Sequence, residues 1–173
     1  MKAPIWVLSS LAMAGCASIP DDIEAVGDFD LTRYLGKWYE IARLDHSFER
    51  GLSNVSAEYS LRDDGGVNVL NRGYDDRKGE WKEATGRAYF AESEKLGRFS
   101  VSFFRPFYGG YNIFVLDREG YGYSVICGNS KSYLWFLARS KTPEKRLLET
   151  LVETVKDKGF RVEDLIWVSH DRD

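Results

Sequence analysis

Tyr34-Leu35-Gly36-Lys37-Trp38-Tyr39-Glu40-Ile41-Ala42-Arg43 opens the strand-forming part of this chain. Trp38, Tyr39 and Ile41 are residue types that suit a pleated, half-buried surface. Side chains alternate along a strand, so a buried Trp38 puts Glu40 and Ala42 on the same inward face. The same two-residue period continues downstream. Val55 to Leu61 alternates small or apolar with polar residues, Asp63-Asp64-Gly65-Gly66 supplies a turn, and Val67 to Asn71 returns as the second arm of a hairpin.

Further strands are expected at Lys82 to Phe90, Arg98 to Phe104, Tyr111 to Leu116, Tyr121 to Cys127 and Tyr133 to Arg139, with turns at 117–120 and 128–130. Eight short strands, each followed closely by a turn, predict an antiparallel up-and-down meander, either closed or sandwiched. One helix interrupts the pattern. Thr142 is placed to cap it and Pro143 to begin it, Leu147, Leu148, Leu151, Val152 and Val155 form one apolar stripe, and Gly159 ends it. Leu165 to Val168 reads as a final short strand.

Upstream, Lys2, the apolar run Ile5 to Ala14 and Gly15-Cys16 have the layout of a secretory signal over residues 1–15. The run is shorter than the roughly 20 apolar residues of a transmembrane helix. Met13-Ala14-Gly15-Cys16 resembles the bacterial lipobox, which implies lipidation of Cys16. Acyl chains anchor at about 0.8 kcal/mol per buried CH₂. Ala17 in place of an acidic residue favours the outer membrane, with the protein facing the periplasm. Residues 16–30, rich in acids and containing Pro20, read as a loose lipidated tether of up to about 45 Å. The globular domain is expected over 31–173.

Composition narrows the function. Lys and Arg number 24 against 27 Asp and Glu, a net charge of −3. That balance argues against a nucleic-acid binder, which needs a basic face. Only His46 and His170 supply imidazoles, and Cys16 and Cys127 are the only cysteines, so neither a metal centre nor an intrachain disulfide is expected, and no cofactor is implied. Cys127 sits in an apolar strand and reads as an inert thiol. No G-x-S-x-G nucleophile elbow occurs, and the chain is read as a binding protein, not an enzyme. Fourteen of the 25 aromatic residues lie between Tyr89 and Phe136, densest at Phe103 to Tyr111. Pro106, Gly109 and Gly110 make that stretch a turn that rims a cavity, meets a membrane or a second subunit, or simply packs the end of the sheet.

Gly36-Lys37-Trp38 matches the G-x-W signature of the lipocalins, and Leu137-Ala138-Arg139 resembles their arginine at the closed end of the barrel. The order of eight strands, a helix and a ninth strand is also similar to theirs. Tyr59 to Asp63, Pro106 to Tyr111 and Tyr133-Leu134-Trp135 resemble the bacterial outer-membrane lipoprotein branch. The resemblance covers about 30–173. It implies an all-β fold, an eight-stranded up-and-down antiparallel barrel with one C-terminal helix and a short ninth strand. Gly36, Trp38 and Arg139 would then be structural, with Arg139 lying on the Trp38 ring. The family's middle T-D-Y signature survives only as Leu116-Asp117-Arg118.

An eight-stranded barrel has room for its own side chains or for one small ligand. Alternation places Glu40, Ala42, Ala57 and Tyr59 in the lumen. Val69, Asn71, Ala88 and Phe90 follow from the middle strands, and Val101, Phe103, Ile113, Tyr133 and Trp135 from the later ones. Small inward residues predict a vacancy. A one-residue slip of the strand carrying Asn68 and Asn71 would exchange its faces. Glu40 is either a contact for a ligand headgroup or a carboxyl hydrogen-bonded to a neighbouring Tyr or Asn. Arg43, Arg50 and Arg105 fall near the open end, where a phosphate could meet them. The resemblance implies binding of fatty acids or phospholipids, with lysophospholipids preferred, for storage or transport in envelope maintenance, and it allows a homodimer. The competing expectation is an envelope scaffold protein with a filled barrel.

Overall fold

The computed structural model describes residues 18–172. A one-turn helix α1 (Leu31–Tyr34) leads into β1 (Gly36–Arg43), β2 (Leu52–Leu61), β3 (Val67–Asp75), β4 (Glu80–Phe90), β5 (Arg98–Phe104), β6 (Phe107–Leu116), β7 (Tyr123–Cys127) and β8 (Leu134–Ala138). Helix α2 (Lys145–Asp157) and the two-residue β9 (Ile166–Trp167) follow. Each of β2 to β7 pairs antiparallel with the next, and β1 closes the sheet by pairing with both β8 and β2. Full closure removes the free edges that an open sheet would expose. β9 lies outside, continuing along β1 where β2 leaves it, with Ala42 opposite Trp167.

The sheet buries apolar side chains on both faces. The lumen holds one cluster, built on Phe29, Tyr34, Trp38, Tyr59, Val67, Val69, Phe99 and Leu137. A second lies between the outside of the barrel and α2, where Ile41, Ala42, Val125, Leu134 and Phe136 meet Leu151 and Val155. The apolar stripe of α2 packs on the barrel exterior as its spacing predicts. The helix begins at Lys145, however, with Glu144 at the cap position and no side-chain cap bond, two residues later than Thr142 and Pro143 suggested. Gly159, at φ +77°, follows its last turn.

The register of β3 follows from its ladder. Val67, Val69 and Asn71 face Leu61, Tyr59 and Ala57 on one side and Ala88, Gly86 and Ala84 on the other. Asn68 is outside, accepting a hydrogen bond from Arg62.

Residues 18–30 depart from the loose tether expected of them. The Val26 amide donates to the Ile113 carbonyl at 2.8 Å, Gly97 donates to Val26 at 2.8 Å, and Phe29 donates to Lys95 at 3.0 Å. Ile23 is buried in the outer cluster and Phe29 in the lumen, while Asp22 pairs with Lys131. Three apolar side chains at intervals of three thus anchor a segment whose acids remain at the surface. Cys16 and the signal-like stretch lie outside the described residues.

Candidate functional site

Trp38 seals one end of the barrel. Its ring is fully buried, and its Nε1 donates to the Tyr34 carbonyl at 2.8 Å. Above that seal the lumen is filled by rings. Phe29, Phe90 and Phe99 have centroids 4.5–6.4 Å apart, and Tyr121 packs beside them. The filling stops at a layer of hydroxyls. Tyr34 Oη and Tyr111 Oη are 2.7 Å apart, Tyr59 Oη and Tyr111 Oη 2.9 Å, and Tyr34 Oη lies 3.1 Å from Ser124 Oγ. Burial pushes the Tyr34 phenol up to about 12 and also holds Tyr59 and Tyr111 well above the ordinary phenol value, so all three remain neutral donors.

Beyond this floor lies a cavity of about 170 Å³. An apolar hole of about 150 Å³ takes a benzene-sized guest, so the vacancy admits a stretch of alkyl chain. Its walls are largely apolar and include Val55, Val67, Val69, Ala88, Val101 and Leu137. The mouth lies at the end where the loops 44–51, 76–79, 105–106 and 128–133 leave the strands. Phe48, Phe104 and Phe107 are exposed there.

Of the expected pocket residues, Glu40, Ala57, Tyr59, Val69, Asn71, Ala88, Val101, Phe103 and Trp135 line the cavity. Four do not. Ala42 faces the outer cluster, because the pairing of β1 with β8 shifts register between Glu40 and Ala42 and breaks the alternation counted from Trp38. Phe90 belongs to the filling below the floor, against Phe99. Ile113 is buried in the lumen cluster but is screened from the cavity. Tyr133 precedes β8 and sits half exposed at the mouth, stacked on Trp135 at 6.2 Å. Gly86 leaves no vacancy either: a Cβ there would lie 2.9 Å from the Phe103 ring.

Several lining residues were not anticipated. Phe99 and Tyr111 share parity with Val101 and Ile113, so alternation alone would have reached them. Val55 and Ser56 are displaced by a bulge at Asn54, whose φ is +52°. Glu49 and Phe48 lie in the loop after β1, where no period operates.

That loop completes a buried polar cluster in the wall. The Arg43 guanidinium, 1% exposed, donates to Glu40 Oε1 at 2.7 Å and to the Glu49 and Leu52 carbonyls at 2.9 and 3.2 Å. The partner of Glu40 is therefore an arginine rather than a Tyr or Asn, and Arg43 is not free to meet a phosphate. Arg50 is tied to Asp45. Glu49 Oε2 lies 2.8 Å from His46 Nε2 and accepts from Trp135 Nε1 at 3.0 Å. Burial, then the Glu49 carboxylate, push the Glu40 carboxyl well above its ordinary range against the pull of Arg43. Burial also works to raise Glu49, but His46, Trp135 and Arg43 outweigh it and hold Glu49 low. Elsewhere, burial pushes the Cys127 thiol up to about 12, which leaves it unreactive. His170 is held by the Glu40 carbonyl at 2.7 Å. No group of three or more His, Cys, Asp or Glu among the described residues could hold a metal ion.

The lipocalin-like domain model matches residues 29–170, which is most of the chain. The chain belongs to the lipocalin family. Among relatives, this lipocalin is 52% identical to the outer membrane lipoprotein Blc of Vibrio cholerae, covering 97% of this chain and 98% of that protein. It is 48% identical to the outer membrane lipoprotein Blc of Escherichia coli over 86% and 84% of the two chains. Among solved structures, insecticyanin from the tobacco hornworm superposes with a TM-score of 0.68 at 20% identity, covering 89% of this chain and 87% of that one. The structural likeness carries the fold alone. The barrel, its closing Trp38 and the cavity above the tyrosine floor are thus a lipocalin architecture, with a lumen that can take a small hydrophobic ligand.

Proposed function

We propose that this lipocalin is an outer-membrane lipoprotein, anchored through lipids on Cys16 and facing the periplasm. In this reading it holds the acyl chain of a fatty acid or lysophospholipid in its lumen for storage or transport during envelope maintenance. The observation that carries the reading is the partly vacant, apolar lumen between the tyrosine floor and the mouth. The names of the two bacterial relatives support the location, and Met13-Ala14-Gly15-Cys16 supports the anchor. A cavity of about 170 Å³ takes part of a long single-chain amphiphile, so the remainder extends to the mouth, among Phe48, Phe104 and Phe107. Among the described residues, none in the wall pairs a nucleophile with an activating base, which favours binding over turnover.

Native mass spectrometry on protein purified without strong detergent tests the proposal. A co-purified single-chain lipid, displaced by a fluorescent fatty acid, is the expected result. An empty barrel that fails to bind the fluorescent fatty acid overturns it. Radiolabelled palmitate incorporation that is lost in Cys16→Ser tests the anchor separately.

A further inference from the structure

Given that the lumen is a lipid site, we propose that Glu40 and Glu49 form a subsite within it for the primary ammonium of a single-chain amphiphile. Among ligands with the same alkyl chain, the cavity then prefers one ending in an ammonium to one ending in a carboxylate.

Glu40 and Glu49 are the only charged side chains among the described residues that line the cavity. Both are buried, at 3% and 7% exposure. The neighbouring cation is already committed: Arg43 is bonded to Glu40 through one terminal nitrogen and to two backbone carbonyls through the other, inside the wall and away from the lumen. Two carboxylates therefore stand against one fixed positive charge. The remaining charge is met by the proton that the Glu40 carboxyl holds, favoured by burial and then by the Glu49 carboxylate beside it. His46 Nδ1 makes no hydrogen bond among the described residues.

A buried carboxylate without a counter-charge is costly, which is why such a group holds its proton. An ammonium entering the lumen supplies the missing charge. It donates to the two carboxylates, and the proton held on the cluster leaves to solvent. Charge-assisted hydrogen bonds of this kind are roughly twice as strong as neutral ones. Trp135 lines the cavity at the same place and donates through Nε1 to Glu49, which fixes that carboxylate at the lumen wall. A carboxylate head meets the opposite situation: two acids, no free cation, and a further proton to take up before it can enter.

The test uses the chain from Ser18 to the C-terminus, which contains the whole barrel and both hydrophobic clusters. Calorimetry compares dodecylammonium, laurate and dodecanol, then lysophosphatidylethanolamine and lysophosphatidylglycerol of equal chain length. The expected result is dodecylammonium bound about tenfold or more tightly than laurate, as charge-assisted pairing implies. Glu49→Gln or Glu40→Gln should reduce that ratio to near one. The readout is the ratio, so a general change in affinity does not mimic it, and Glu49→Gln carries the test if Glu40→Gln misfolds. Preference for the ethanolamine lysolipid extends the subsite to zwitterionic heads; preference for dodecylammonium alone confines it to simple amines. Laurate binding as tightly as dodecylammonium, or a ratio unchanged in Glu49→Gln, overturns the proposal while dodecanol binding leaves the lipid site standing. If none of the three ligands binds, both readings fall.

Discussion

The Arg139 guanidinium lies 4.0 Å from the centroid of the Trp38 ring, and the same side chain ties the end of α1 to the start of β1. It donates to the carbonyls of Arg33, Leu35 and Lys37 at 2.8–2.9 Å and to Tyr34 at 3.2 Å. A helix ends with unsatisfied carbonyls, and here one side chain collects them. Gly36 turns at φ +90° between helix and strand, and a Cβ there would lie 3.5 Å from the guanidinium. The signature glycine, tryptophan and arginine are therefore parts of one closure. Arg139→Ala should lower unfolding stability by about 2–4 kcal/mol, combining a cation–π contact with hydrogen bonds to a charged donor. Arg139→Lys keeps the charge but not the fork, and should recover less than half of the loss in urea midpoint.

The hydroxyl floor makes a graded prediction. Tyr111 is the middle member, within 2.7 Å of Tyr34 Oη and 2.9 Å of Tyr59 Oη. Tyr111→Phe removes both bonds and leaves two buried phenols without their shared partner. The cost should be about 2 kcal/mol, against about 1 kcal/mol for the terminal Tyr59→Phe. Equal effects in chemical denaturation would show that the chain of hydroxyls does not act as drawn.

Filling the vacancy should separate binding from folding. Ala57 lies in the wall of the cavity, opposite Asn71 and Trp38 on the neighbouring strands. In a dense core, added methylenes cost about 1–3 kcal/mol, but a ring placed into open volume meets little to displace. Ala57→Phe should keep the thermal midpoint within a few degrees while abolishing displacement of a fluorescent fatty acid. Retained displacement would mean that lipid is held elsewhere.

Glu40 links stability to pH. Its carboxyl is raised in the folded state, so between its unfolded and folded values the native protein holds a proton that the unfolded chain has released. Stability from this group is complete below the unfolded value, about 4.3 for a glutamic acid, and declines as pH rises through the folded one. Glu40→Gln retains a hydrogen-bond acceptor for Arg43 and cannot ionise. Its stability relative to the natural chain should improve from pH 5 to pH 8, with a slope opposite to that of a salt-bridged surface acid. Parallel curves for the two proteins would locate the shifted group elsewhere.

Strand parity was legible wherever the ladder runs without interruption. Val67, Val69 and Asn71 in β3 and Ala88 in β4 face inward as alternation requires, and β5 spans Arg98–Phe104 as expected. It failed at Ala42, one step past a register shift that no local residue announces. It could not reach Glu49, because a loop has no period. The presence of Glu40 in the lumen was visible, but its partner was not: Arg43 is three residues along the same strand, and simple alternation sends the two to opposite faces. The break in β1 brings them together, so the most polar part of the cavity arises from an irregularity in the strand.

The segment before the barrel offers the sharpest contrast between composition and structure. Its acids suggested a solvated linker, yet Phe29 is 3% exposed and packs on Tyr34 at 5.3 Å and on Phe99 at 5.7 Å. A linker residue can be truncated freely, whereas removing a buried phenylalanine costs about 3–5 kcal/mol. Phe29→Ala should therefore destabilise the barrel by that amount. It should also loosen the tyrosine floor, because Tyr34 loses one of its ring neighbours. The consequence extends to the lipid anchor proposed on Cys16. With the chain docked from Ser18 onward, only Ala17 separates Cys16 from residues held on the barrel, about 7 Å of extended chain from Cys16 to Ser18. A barrel tethered so closely should give an anisotropic, orientation-fixed signal by fluorescence on supported bilayers. Inserting about ten Gly/Ser residues after Ala17 should abolish that order without changing the unfolding midpoint, since such a linker behaves as a flexible coil.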